Sequence, residues 1–158
     1  MPENYFEENI EELAEAVHEY YRQLGKREGW IMEYDMVYAD LPDEIKGDNI
    51  AAARRIPEVL SHAGLGVVTE ADPEPAVDTK VLEDKIELLA EAEHNGWLDH
   101  KLNNGWSYGE TRNDSRKTHN LLIPYNKLLE QDKEKDRNSV RSYPEIVKMV
   151  GCKIVHSD

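Results

Sequence analysis

The stretch GWSYGETRNDSRKTHNLLIPY, residues 105–125, gathers aromatics, glycines, cations and a histidine into one segment of a chain that is otherwise acidic. Arg112, Arg116, Lys117 and His119 stand close together near Trp106, Tyr108 and Tyr125, and Arg137 and Arg141 follow in the last helical segment. A guanidinium fork matches the geometry of phosphate oxygens, and an indole or phenol face stacks on a nucleobase. Gly105 and Gly109 let a backbone come close to a guest. The set therefore has the makings of a pocket for a small anionic, nucleotide-like ligand. Trp106 and Tyr108 would stack a ring, Arg112 and His119 would hold anionic oxygens, and Arg137 would steady the loop. Gly109, Lys117 and Tyr125 complete the candidate site. A competing reading makes the aromatics, with Leu121, Leu122 and Pro124, the core of an ordered hairpin whose cations pair with neighbouring acids.

Other chemistry finds less footing. His18 and His94 sit at equivalent helix positions and could meet across a symmetry axis, but neither has a second ligand one turn away, so a buried histidine bonded to backbone is the expected role. His94, Asp99 and His100 fall on different faces of a helix and do not form an acid–base pair. Cys152 has no histidine partner and reads as a packing residue. Phosphate-binding glycine loops, zinc-protease and nucleophile-elbow motifs and calcium loops are all missing from the sequence. No catalytic residue, metal or cofactor is expected.

The elements that must position the loop come from an internal repeat. IEELAEAVHEYYRQLGKREGW (10–30) and IELLAEAEHNGWLDHKLNNGW (86–106) align without a gap, and IPEVLSHAGLGVV (56–68) matches YPEIVKMVGCKIV (143–155). Between the matched blocks the second copy is longer, and the surplus is the loop itself. Ile10, Leu13, Ala14, Val17, Tyr20, Tyr21 and Leu24 form one apolar helical stripe. Ile86, Leu89, Ala90 and Trp97 repeat it, but Glu93 and Gly96 interrupt it, so that helix needs support from elsewhere. The second helix of each copy is expected to start at an aspartate cap, Asp48 in one and Asp132 or Asp136 in the other, and to end at Gly64 or Gly151. Pro57 and Pro144 inside it should kink or restart the helix. LGVV and CKIV read as short strands. The expected fold is α+β and predominantly α-helical, with a first repeat at 1–68, an acidic, proline-containing linker at 69–80 and a second repeat at 81–158. Neither repeat buries much core alone, so the two should pack about a pseudo-twofold axis.

A formal net charge of −14 argues against nucleic acid polymers or anionic membranes as partners, because affinity for phosphate surfaces rests on Lys and Arg. One small phosphate in a local basic pocket stays compatible with it, as does a basic protein partner for the acidic N-terminal helix and linker. The opening MPENYFEENIEEL has neither a basic nor an apolar leader region, and the single cysteine suits a reducing compartment, so a cytoplasmic location is expected.

Residues 86–155 resemble a ryanodine receptor repeat, the RyR domain. The features that carry this are a helix ending in G-W-S-Y-G, the R-N-D segment, K-T-H-N-L-L-I-P-Y, an acidic turn, D-R-N, and a last helix reaching a glycine. The first half resembles a shorter form of the module found in microbial members, with YADLPDEIKGDNIAAARRIPEVLSHAG, and lacks the G-W-x-Y-G to K-T-H segment. The resemblance implies paired helices with short strands, often in tandem. It also implies a module for ligand sensing or protein docking rather than catalysis, with nucleotides a plausible ligand class.

Overall fold

A computed structural model describes residues 3–157. A short helix α1 (Glu3–Glu8) leads into α2 (Ile10–Glu28), a single 3-10 turn at Tyr38–Asp40, α3 (Asp43–Ser61) and strand β1 (Leu65–Thr69). After the short α4 (Thr79–Asp84) the same order returns: α5 (Ile86–Asn103), the two-residue strands β2 (Ser107–Tyr108) and β3 (Thr118–His119), a 3-10 turn at Tyr125–Lys127, α6 (Glu130–Lys148) and β4 (Cys152–His156). The architecture is mostly helical with small sheets. Among the described residues no helix is long and apolar enough to cross a membrane.

The helix starts depart from the expected caps. Asp48, Asp132 and Asp136 lie within α3 and α6, which begin earlier, straight after extended Pro42 and Leu129. The acids that meet the positive helix end are Asp43 and Glu44 in α3, and Glu130 and Asp132 in α6. Both helices run on through Pro57 and Pro144. Beyond each helix a glycine with positive φ, Gly64 at 70° and Gly151 at 75°, turns the chain into its strand.

β1 and β4 form a two-stranded antiparallel sheet in which Val67 faces Ile154, flanked by Leu65 opposite His156 and Thr69 opposite Cys152. Val67 and Ile154 are separated by the same interval as Pro57 and Pro144, so matching positions meet at the centre of the sheet. The linker is stitched to this sheet: the Val77 amide donates to the Ile154 carbonyl at 2.9 Å, and Lys153 Nζ donates to the Asp72 carbonyl at 2.7 Å. Its last residues, Thr79 and Lys80, already belong to α4, which Asp78 caps through the Lys80 amide.

One core draws on both halves. Leu13, Ile56, Leu60 and Leu65 pack with Leu82, Leu89, Val140 and Ile146, all at most 2% exposed. Each such side chain contributes about 1.5–3 kcal/mol through burial. The interrupted stripe of α5 has its support here. Glu93 is buried and accepts from Arg55 of α3, Nη2 to Oε2 at 2.8 Å, and from the Tyr143 hydroxyl of α6 at 2.6 Å. Gly96 clears the path of Arg55, since a Cβ there would stand 2.3 Å from Arg55 Cδ. Alanine at 96 should gain about 1 kcal/mol from helix propensity yet lose more by displacing a buried charge. Gly96→Ala is expected to lower stability by a net ~1–3 kcal/mol in urea unfolding; an unchanged or raised midpoint would contradict this packing.

Candidate ligand cavity

A cavity of about 590 Å³ opens between the two halves, within the range of roughly 300–1,000 Å³ typical of small-molecule sites. The first half contributes Tyr20 and Tyr21 from α2 and Trp30, Ile31, Glu33 and Tyr34 from the α2–α3 connection. The second half contributes Trp97 and Lys101 from α5, Arg112 and His119 from the long loop, and Lys135 from α6. Arg55, Glu93, His94, Asp136 and Tyr143 also line it and form a polar network.

The long loop is fastened to the first half, which is why part of it faces the cavity. The Tyr34 hydroxyl donates to Asp114 Oδ2 at 2.9 Å, while Arg112 Nε donates to Asp114 Oδ1 at 2.8 Å. Lys117 pairs with Glu44 at 3.2 Å, and Lys101 with Asp48 at 2.8 Å. His119 is placed by β3 and accepts the Leu121 amide at Nδ1, 3.1 Å away, which leaves Nε2 as the protonated nitrogen of the neutral ring. Burial, helped by the charges of Arg112 and Lys101, lowers its pKa to about 4. Arg112 and Lys101 thus put positive charge near His119 at this end of the cavity, each faced by its own aspartate.

His94 is in the opposite condition. Its Nδ1 lies 3.2 Å from Asp136 Oδ2, and its Nε2 lies 2.7 Å from the Ile123 carbonyl. Burial opposes a charge on the ring, but the Asp136 hydrogen bond and the carbonyl outweigh it and raise the pKa. With an acceptor at each nitrogen the imidazolium has no lone pair to offer a metal or a substrate. His18 likewise bonds to backbone, the Met36 carbonyl, at 2.6 Å. Among the described residues no group of acids, histidines and cysteine is arranged to hold a metal ion.

Of the loop residues singled out by type, only Arg112 and His119 line the cavity. Trp106 is 4% exposed, with Lys101 Nζ 4.3 Å from its ring centre, so it is packed rather than offered to a ligand. Tyr108 is exposed on β2, outside the cavity. Gly109 does permit a close approach, but to Thr118, whose Cβ would stand 2.7 Å from an added Cβ. Lys117 turns away to Glu44 and to the Asn104 carbonyl. Tyr125 is buried, its hydroxyl donating to Glu87 at 3.0 Å. Arg137 is bound by Glu87, Glu130 and Glu134, and Arg141 by Glu83 and Glu134. Trp106 and Tyr125 are packed as core residues, although β2 and β3 pair in parallel rather than as the expected hairpin, and acid pairing describes Arg112, Lys117, Arg137 and Arg141.

The RyR domain family model matches residues 76–156, just over half of the chain. The chain belongs to the RyR domain family. The RyR segment spans α4 to β4 and includes the whole long loop, so it supplies Trp97, Lys101, Arg112, His119 and Lys135. The facing wall, Tyr20 to Tyr34, lies outside it. Trp30, Tyr34 and Trp97 are the cavity residues that motif reasoning passed over. The signal for Trp97 was present, because it keeps the aromatic of Tyr21 in the helical stripe right after the break at Gly96.

Proposed function

We propose that the chain is two RyR-type repeats in tandem, of the microbial kind, related by a pseudo-twofold axis. Together they form a non-enzymatic cytoplasmic sensing module that binds a small anionic, nucleotide-like molecule in the cavity between them. The doubled element order supports the duplication, as do paired hydrogen bonds at matching places: Tyr38 to Glu11 and Tyr125 to Glu87, and His18 to the Met36 carbonyl and His94 to the Ile123 carbonyl.

The observation that carries the ligand reading is the cavity itself, where Arg112 and His119 share an opening with Tyr21, Trp30 and Trp97. Aromatic faces suit a base, and the positive end suits its anionic group. His94 with both nitrogens engaged and His119 held neutral leave no activated nucleophile, which favours binding over turnover. In a thermal-shift screen of nucleotides and cyclic dinucleotides, a fitting compound at about a hundredfold above its Kd should raise Tm by roughly 5–10 °C. Arg112→Ala and Trp97→Ala should each abolish the shift while leaving the unliganded protein folded. If no compound shifts the wild type, the ligand reading fails.

Protein docking is the second reading, favoured by Ile31, which is fully exposed on the cavity lining. It predicts a stoichiometric basic partner released by high salt and by Ile31→Ser, with no response to nucleotides.

A further inference from the structure

The charges around the cavity are nearly spent on one another. Arg55 pairs with Glu93 at 2.8 Å, Lys101 with Asp48 at 2.8 Å, Arg112 with Asp114 at 2.8 Å, and Lys135 with Asp132 at 3.6 Å. His94 has Asp136, and Glu33 lines the cavity with no ion-pair partner among the described residues. Arg112 keeps Nη1 and His119 keeps Nε2 without a hydrogen bond among the described residues, as Arg55 keeps Nη1, while Lys135 Nζ has only its 3.6 Å ion pair. Each of these cations already faces a carboxylate, so the lining has little positive charge to spare beyond what one anionic group can draw on. A chain of phosphates would have to displace internal carboxylates from their cations, or lie against Glu33, and like charges brought together in a partly dry site repel strongly.

Resting on the ligand-binding reading above, we propose that the cavity selects an aromatic ligand carrying a single phosphate or carboxylate group and rejects polyphosphates, and that Asp114 sets this limit. Asp114 is suited to the part because it lies behind Arg112 rather than in the cavity. It occupies Nε and Nη2 of the guanidinium, 2.8 and 3.4 Å away, and is itself held by the Tyr34 hydroxyl. Its carboxyl is held below the ordinary carboxylate range by the Arg112 hydrogen bond, which favours the ionised form. It therefore acts as a built-in anion that already satisfies half of the arginine fork, leaving the other half for a guest.

The full-length protein can be titrated by calorimetry, without divalent cations, with AMP, ADP and ATP, and separately with phenyl phosphate and tripolyphosphate, which dissect ring from charge. AMP is expected to bind at least about tenfold more tightly than ATP, and phenyl phosphate to bind where tripolyphosphate does not. Asp114→Asn should narrow or reverse the AMP-to-ATP ratio by about tenfold, and Glu33→Gln should move it the same way by less. The second variant lies at an exposed position and keeps the test alive if the first fails to fold. ATP or tripolyphosphate binding more tightly than its partner overturns the charge limit while leaving the cavity a ligand site. An unchanged ratio in both variants overturns the role of Asp114. If none of the probes binds, the ligand reading and this proposal fall together.

Discussion

Replacing Glu93 with alanine should remove about 3–5 kcal/mol of folding stability, the usual consequence of leaving a buried charge without its partner. Arg55 is the residue left behind. It projects from α3 past Gly96, and it holds its proton because the Glu93 carboxylate offsets the cost of burial. Tyr143 loses its acceptor in the same stroke. The matching positions of the first half show an apolar solution, with Val17 in place of Glu93 and Ile56 in place of Tyr143. The combined variant Glu93→Val, Arg55→Met, Tyr143→Phe should accordingly recover stability to within about 1 kcal/mol of the wild type. Urea denaturation of the single and triple variants checks both statements. A cost below about 1 kcal/mol for Glu93→Ala would mean that water reaches Arg55 and that the network is not a buried one.

The second large effect lies one residue further along α5. His94→Ala leaves the carboxylate of Asp136 and the Ile123 carbonyl without their donor, at a cost of about 2–4 kcal/mol. It should also change the pH dependence. The pKa of His94 is raised on folding above the ordinary histidine value of 6.5, so its contribution is complete below pH 6.5 and is lost as pH rises through the higher folded value. Burial raises the Asp136 carboxyl too, which works in the same direction at lower pH. His119 does the reverse: its folded pKa of about 4 gives a contribution that is complete above 6.5 and fades as pH falls towards 4. Stability should therefore peak near pH 6.5. In His94→Ala the decline above pH 6.5 should vanish while the decline below it persists. A wild-type protein that grows steadily more stable from pH 6 to 8 would refute the buried imidazolium.

The fold was readable where one residue type dictated one geometry. Helical periodicity in 10–28, the left-handed glycines at 64 and 151, and the strands after them follow from local rules, and the gap-free alignment of the two helix blocks agrees with the element order that returns in the second half. Helix starts differ from the aspartate caps that residue type suggests, because Pro42 and the 3-10 turn before it set the beginning of α3. The site was legible only in part. Residue type marks Arg112, Trp106, Lys117 and Arg137 equally as possible anion or ring binders; what separates them is which acid lies within reach. Glu44 takes Lys117, three glutamates take Arg137, and Lys101 lies over Trp106, all through contacts between distant segments that no local pattern encodes. Glu93 and Gly96 were visible as faults in a stripe, yet their meaning depended on an arginine from α3.

The sheet that joins Val67 to Ile154 contains one strand from each half of the chain, so neither half completes that sheet alone. Residues 70–78 thereby act as a concentration device: a short tether of this kind holds two binding partners at an effective millimolar level relative to each other. A half produced separately would carry an orphan strand beside an uncovered apolar face, and another copy of itself would be its nearest available match. Covalent continuity here fixes which two surfaces marry, and with them the open chamber that both line.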